Sequence, residues 1–474
     1  MSWRERIWPG WFGRNVAVAT GARVAMSAAR ALAGVMVPVY LALAGYSAFR
    51  LGLLFVVVGV ASAGLSTAVG FLSDRLGRKA FLIGVPLLAS GAGVAYALSL
   101  DPVVVFVAGA LGSFGRGGGA GGGTVGPYAP AEQALVAESV PPANRNAAFG
   151  RLAFGSSLGA VAGSLLAAGL VSDHPARAHL LAAYRPGFMA LAACAFVAGA
   201  AGLLLHETGP HRQTEEPPAR PREQGQVGRG RGQGQVGRGR GRILPRASAP
   251  LLYRLWAANA LNGTAVGMFG PFVSYWFYRR YGVGAATIGE LYAVINAATT
   301  VSNLSAAGFG RRWGLVRSAT WFRVAQAVLL VPMVLAPAFL VAGGIYLVRM
   351  AAQRVAMPLR QSYVMAMADP AERARVAALS RLSSQVTAAG SPALAGELFD
   401  HVSLAAPFLI GGLLQLANAA VFFLFFRRRP PEEEVAAAAL PEAEPSVLGV
   451  PGEPGGPGGP GEPAQPSEPG VPGG

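Results

Sequence analysis

The chain has 474 residues, of which 53% are hydrophobic and only 13% charged, and its mean hydropathy is +0.43. A soluble protein carries about 25% charged residues, so a soluble globular fold is excluded. The net charge of +16 would point to nucleic acid in a soluble chain. Here, however, the arginines collect in alternate connections between long apolar runs, a pattern that marks a membrane face and removes nucleic acid as an expected partner.

A helix crosses a bilayer with about 20 mostly apolar residues. Twelve runs qualify: 20–45, 50–72, 80–99, 103–128, 147–171, 186–205, 252–277, 285–307, 317–337, 340–367, 378–397 and 404–426. The expected fold is an all-α membrane protein, with twelve transmembrane helices in two pseudo-symmetric bundles of six. Arg4, Arg6 and Arg14 precede the first run, and Arg75, Arg78 and Lys79 join the second to the third. Arg145 and Arg151 follow the fourth, Arg311, Arg312 and Arg317 the eighth, and Arg373, Arg375 and Arg381 the tenth, while Arg427–Arg429 follow the twelfth. The opposite connections hold only Arg50, Arg177, Arg185, Arg279 and Arg280. Basic short loops mark the cytoplasmic side, so a multi-pass protein of the cell's inner (plasma) membrane is expected, with both termini cytoplasmic. The first run resembles a secretory signal but is too long, and Arg23 and Arg30 interrupt it, which favours an uncleaved span. Cys194 is the only cysteine, so no disulfide forms within the chain.

The expected organisation is a cytoplasmic segment at 1–19, a six-helix bundle at 20–205, a linker at 206–250, a second bundle at 251–427 and a tail at 428–474. The linker is rich in Arg, Gly, Gln and Pro, repeats Gln224–Arg231 as Gln233–Arg240, and cannot bury a core, so disorder is expected there. Arg/Gly tracts can bind RNA, but attraction to anionic lipid headgroups is the plainer reading. The tail is Pro, Gly, Glu and Ala without a strict three-residue period, hence not collagen. The bundles echo each other: QALVAESVPPANR at 133–145 and QSYVMAMADPAER at 361–373 share Gln, Pro and Arg at equal spacing. Parallel duplication places a substrate site between the halves near the bilayer midplane.

The densest motif is the charged hairpin Gly70–Lys79 (GFLSDRLGRK). Gly70 permits close helix approach, Gly77 allows a tight turn at positive φ, and Arg75, Arg78 and Lys79 hold the turn at the cytoplasmic side. Asp74 falls at a helix C-terminus, where the helix dipole disfavours an acid, so it requires a partner. A weaker copy, GFGRRWGLVR, lies at 308–317, with Arg311 where Asp74 would align.

With these residues the chain resembles the major facilitator superfamily, whose loop between spans 2 and 3 carries G-x-x-x-D-R-x-G-R-K/R. The match at Gly70, Asp74, Arg75, Gly77, Arg78 and Lys79 is complete, and the resemblance extends over about residues 15–427. It implies that Asp74 helps hold a cytoplasmic gate closed by contacting the opposite half, in a latch made lopsided by Arg311. Arg116, in RGGGAGGG, looks like the family's fourth-span R-x-x-x-G pattern, often linked to proton coupling. Gly155 and Gly159 match the start of the family's fifth-span antiporter signature, but Ala160 replaces its proline, which weakens the case for antiport. Gly155, Gly159 and Gly163, with Gly390 and Gly396 in span 11, also read simply as close helix packing.

In that family, spans 1, 4, 7 and 10 line the cavity. Polar candidates there are Arg30, Tyr40, Arg116, Asn259, Asn262, Tyr275, Arg349 and Arg354. Glu132 is expected towards the cytoplasmic end of span 4 and Glu290 at the outer start of span 8. A cavity lined by Arg suits an anionic or hydrogen-bonding solute. His174, His179, His206, His211 and His401 show no metal spacing, and neither a Walker phosphate loop nor a Ser-nucleophile elbow is present. No cofactor and no enzymatic activity are expected. The expected function is secondary active transport of a small solute by alternating access, coupled to protons, in a monomer within the lipid bilayer. A multidrug-type efflux antiporter of the same fold, or a non-transporting receptor or scaffold using the Arg-rich loop, are the alternatives.

Overall fold

The computed structural model describes residues 12–114, 126–141, 144–206, 249–313, 315–367 and 373–426. The side chains of Asp74, of residues 301–316 and of most residues between 358 and 381 lie outside the described set, as do the expected linker and tail. All the described helices belong to one contact unit, Met1–Pro431.

Every regular element among the described residues is helical. Lipid offers no hydrogen-bond partners, so a crossing backbone must satisfy its own groups. In the first half the helices are α1 (Arg14–Leu43), α2 (Ala48–Leu76), α3 (Arg78–Leu98), α4 (Pro102–Gly112), α5 (Ala129–Ser139), α6 (Arg145–Leu170) and α7 (Leu180–Leu203). In the second half they are α8 (Ala249–Phe269), α9 (Val273–Tyr281), α10 (Ala285–Trp313), α11 (Leu315–Val328), α12 (Leu330–Leu335), α13 (Phe339–Met367), α14 (Arg373–His401) and α15 (Ala406–Phe426). Among the described residues, eight helical stretches are long and apolar enough to cross a membrane. The expected spans 4, 7, 8 and 11 are not among those eight.

The departures have physical causes. The expected run 103–128 is not one helix: α4 stops at Gly112, and Ser113 turns the chain left-handed at φ 55°. Span 7 is cut by the 3₁₀ turn Gly270–Phe272 between α8 and α9. Pro271 lacks an N–H, and its ring collides with the carbonyl four residues back. Pro332 acts in the same way where α11 gives way to α12. Asp101 starts α4 by accepting from the Val103 N–H at 2.9 Å, with Pro102 in the first turn. Gly77 joins α2 to α3 at φ 89°, and Gly282 ends α9 at φ 70°.

The packing repeats between the halves. In the first half α1 packs on α6 and α7, and α3 on α7. In the second half α8 packs on α14 and α15, and α11 on α15. The main contacts between the halves pair α2 with α14 and α6 with α10, and α1 also touches α9 and α10. Large apolar side chains such as Val60, Phe154, Leu340 and Leu413 remain exposed on the outside, where a soluble protein would be penalised but a lipid-facing surface is not.

Small residues set the helix spacing. A Cβ on Gly159 or Gly163 would strike the backbone carbonyls of Val24 and Ala28 in α1, and one on Gly155 would press on Thr20. Gly396 meets Ala48 and Phe49 of α2 in the same way. Gly390 differs from the expectation for it: it is exposed, and nothing lies within 4 Å of where its Cβ would stand. Gly159→Leu is therefore expected to lower the melting temperature of detergent-purified protein sharply, by more than the 1–3 kcal/mol or so typical of overpacking. Gly390→Ala is expected to leave it unchanged or slightly raised, since Gly within a helix costs about 0.5–1 kcal/mol relative to Ala.

Candidate functional site

Hydrogen bonds sort the helix ends into two faces. At one face Asn15 donates to the His206 carbonyl at 2.9 Å, Lys79 Nζ donates to the Leu203 carbonyl at 2.8 Å, and Arg78 pairs with Glu138. At the other, Tyr46 donates to the Leu100 carbonyl at 3.4 Å, Arg177 to that of Ala44 at 3.3 Å, and residues 173–174 meet 282–287. Burial pushes the Tyr46 phenol above its ordinary pKa, reinforced by Asp101, so it remains a neutral donor.

Two carboxylates join the halves at this second face. Asp173, just beyond α6, accepts from the N–H groups of Ala286 at 2.7 Å and Thr287 at 3.1 Å, and from the Thr287 hydroxyl. Asp400, at the end of α14, accepts from the N–H groups of Ala48 at 3.0 Å and Phe49 at 2.8 Å. Each acid thus fills orphan donors at the positive end of a helix in the other half. Ser47 completes the first turn of α2 by accepting from the Arg50 N–H at 3.2 Å. Further crossing bonds run from Ser274 Oγ to the Gly34 carbonyl at 3.0 Å and from Asn296 Nδ2 to Ser164 Oγ at 3.3 Å. Phe55, Phe272 and Phe399 pack ring against ring behind them, with centroids 5.1–5.3 Å apart. These bonds between the halves fall from mid-helix towards this face.

The hairpin residues sit at the opposite face. Arg78 and Lys79 bond to Glu138 and Leu203 of their own half, Arg75 is exposed, and nothing lies within 4 Å of a Cβ on Gly70. The expected contact of this motif with the other half rests on Asp74, whose side chain lies outside the described residues, as does Arg116.

The cavity candidates separate. Tyr40 is fully buried in an aromatic cluster with Tyr184 and Phe188, its hydroxyl 3.4 Å from the Tyr96 carbonyl. Tyr275 is likewise packed, against Phe272 and Phe399. Both are buried in this arrangement, Tyr40 inside the first bundle and Tyr275 beside the Phe55, Phe272 and Phe399 rings that join the halves. Asn259 is buried, Asn262 and Arg354 are half-buried, and Arg30 is half-buried beside Gly126. Arg349 is only 1% exposed. Its guanidinium lies 4.6 Å from the Phe269 ring centre and reaches Gln415 at 3.4 Å and Gln353 at 3.5 Å, while Nε has no partner. Arg323, in α11, is also buried, 6.0 Å from the Phe422 ring centre.

Two acids of consequence escaped the sequence reading, Asp173 and Asp400, as did the partner of Glu132, Arg23. The two acids had a signal. Asp-His occurs at 173–174 and at 400–401, a separation of 227 residues against 228 for Gln133 and Gln361, so the pair occupies near-equal places in the duplication.

Two helical halves packed pseudo-symmetrically in an apolar exterior, tied at one face, are the architecture of a membrane transporter of small molecules. The sequence profile of the Major Facilitator Superfamily matches residues 19–348 and 255–452. The chain belongs to that family: it is a multi-pass secondary transporter and not an enzyme. No curated protein matches the chain. Among solved structures it resembles the nucleoside transporter NupG, at 12% identity, covering 86% of this chain and 100% of that one, with a TM-score of 0.63. It also resembles the inward-open xylose transporter XylE from E. coli, at 13% identity, 90% and 99% coverage and a TM-score of 0.64. A third is a bacterial homologue of the human lysosomal transporter Spinster, in an inward-facing, occupied conformation, at 14% identity, 92% and 99% coverage and a TM-score of 0.61.

If Asp173 and Asp400 tie this face, Asp173→Ala with Asp400→Ala opens it. A carboxylate cap is worth about 1 kcal/mol, so maleimide labelling of Ser164→Cys in a Cys194→Ser background is expected to quicken about tenfold or more. Ser164 is fully buried, and an unchanged labelling rate would remove the acids from this role.

Proposed function

We propose that the chain moves an anionic or strongly hydrogen-bonding solute by alternating access, driven by protons, and that the arrangement described is its inward-facing state. The arginine-rich connections support placing the hairpin face in the cytoplasm, with both termini there, and the Asp173–Asp400 face outside the inner membrane. Asp74 then belongs to a cytoplasmic gate that engages the other half when the outer face opens. Residues 206–250 serve as the linker between the halves, and 428–474 as a tail.

Arg349 carries the reading of the solute. A guanidinium stays charged in proteins, and an ionised group out of water needs close partners. Two amide oxygens at 3.4 and 3.5 Å are long for hydrogen bonds, no carboxylate contacts it among the described residues, and one N–H is spare. A carboxylate or phosphate answers that geometry with paired bonds. Phe269, the ring that covers the guanidinium, is the last residue of α8 before the Gly270–Pro271 break, so a small change at the break exposes Arg349 to a solute.

A thermal-shift panel of citrate, gluconate and glucose 6-phosphate, with glucose and tetraphenylphosphonium as neutral and cationic controls, tests this on purified protein. At least one anion is expected to raise the melting temperature, and Arg349→Gln is expected to weaken its binding about tenfold or more, the worth of about 1.5–3 kcal/mol for a charged hydrogen bond. Stabilisation by the cation alone, or equally in Arg349→Gln, would contradict the assignment. Uptake into proteoliposomes should collapse with a protonophore.

A further inference from the structure

Glu132 is the one carboxylate in the buried class among the described residues, at 2% exposure. Arg23, 6% exposed, grips it as a fork: Nε donates to Oε1 at 2.9 Å, and Nη2 to Oε2. The pair bridges α1 and α5. Beside it lies a narrow cavity of about 10 Å³, lined by Ala19, Ala22, Leu82, Pro86 and Tyr128 together with Glu132. That volume is at the lower limit of what one water needs. Tyr128, just before α5, lines the same cavity, and Arg30 of α1 lies within electrostatic reach of Tyr128; α3 and α7 present apolar residues to the cavity.

Of the two partners, only the acid can change its charge, because a guanidinium does not deprotonate in a protein. When Glu132 takes a proton, Arg23 becomes a buried cation without its counter-charge. Leaving a buried charge without its partner is strongly destabilising, and a shift of α1 away from α5 relieves it. α1 is also the helix whose Gly34 carbonyl accepts from Ser274 of the other half, and against which Gly159 and Gly163 are seated without clearance. A displacement at Arg23 therefore reaches the contact between the halves along one rigid element. The second half has no equivalent acid: Arg360 stands before Gln361 where Glu132 stands before Gln133.

We propose that Glu132 is the proton-carrying group of the transport cycle and that Arg23 is its positioning counter-ion. No covalent step is involved: a proton from water adds to a carboxylate oxygen, and the same proton leaves to water when the pair re-forms. This rests on the proton-driven reading above and names the group that performs it.

The test uses the full chain in detergent, with the proton itself as probe. Infrared difference spectra recorded on lowering the pH are expected to contain, beside the bands of the exposed acids, a carbonyl component of a buried protonated acid that is lost in Glu132→Gln and shifted in Glu132→Asp. In parallel, maleimide labelling of Ser164→Cys (in the Cys194→Ser background) is expected to change with pH in the otherwise unaltered protein, and to lose that response in Glu132→Gln. Arg23→Gln combined with Glu132→Gln removes both charges and controls for misfolding. A spectrum and a pH response unchanged in Glu132→Gln would overturn the proposal, as would the absence of the buried-acid component from the unaltered protein. Proteoliposome uptake that is insensitive to a protonophore before any substitution would instead sink the proton-driven reading, and this proposal with it. Protonophore-sensitive uptake that Glu132→Gln leaves intact would sink this proposal alone.

Discussion

A carboxylate at the exit of one helix and the bare N–H groups at the entrance of another make a bond that neither half can make by itself. Asp173 and Asp400 use it twice, in opposite senses, each half supplying one acid and one helix start. Such a bond has two properties that suit a moving joint. It is directional, so it fixes register. It is also modest, about 1 kcal/mol for each cap, so it can be released and re-formed in a working cycle. Fusing the halves with apolar packing alone would hold them harder and release them less readily.

The joint works because the helices meeting at it can come close. Gly52 and Gly59 of α2 abut Pro392 and Ala389 of α14, and Gly289 of α10 abuts Ser164 and Ala168 of α6. Within each half the same principle seats α6 on α1 through Gly159 and Gly163, and α8 on α14 through Gly263 and Gly267. Between lipid-facing helices there is no hydrophobic force to bring them together, so close van der Waals contact and interhelical hydrogen bonds take its place. α1 thereby becomes the common element: it carries Arg23 at one end, the glycine seat along its length, and the Gly34 carbonyl facing Ser274 of the other half.

Spans were legible because twenty or so apolar residues have few other uses, and the fold followed from their number, the echo at Gln133 and Gln361, and the hairpin at Gly70–Lys79. The interruptions were not legible. Pro38, Pro86, Pro186 and Pro392 sit inside continuous helices, whereas Pro271 and Pro332 do not, and composition does not separate the two groups. Tyr40 and Tyr275 count as polar in a string of letters, while in the folded chain the area of the ring decides where each packs. Arg23 and Glu132 stand 109 residues apart and nothing local links them. Asp173 and Asp400 stand outside every expected span, and only the register of the duplication shows that they occupy near-equal places.

The central claim is that the two halves close one face while opening the other. Pulsed electron spin distances in one preparation test it most directly, with label pairs at Ala176 and Val402 for the Asp173–Asp400 face and at Phe71 and Leu382 for the hairpin face. The account predicts that when the first distance lengthens, on substitution or on solute binding, the second shortens. Distances that stay fixed, or that lengthen together, would contradict it.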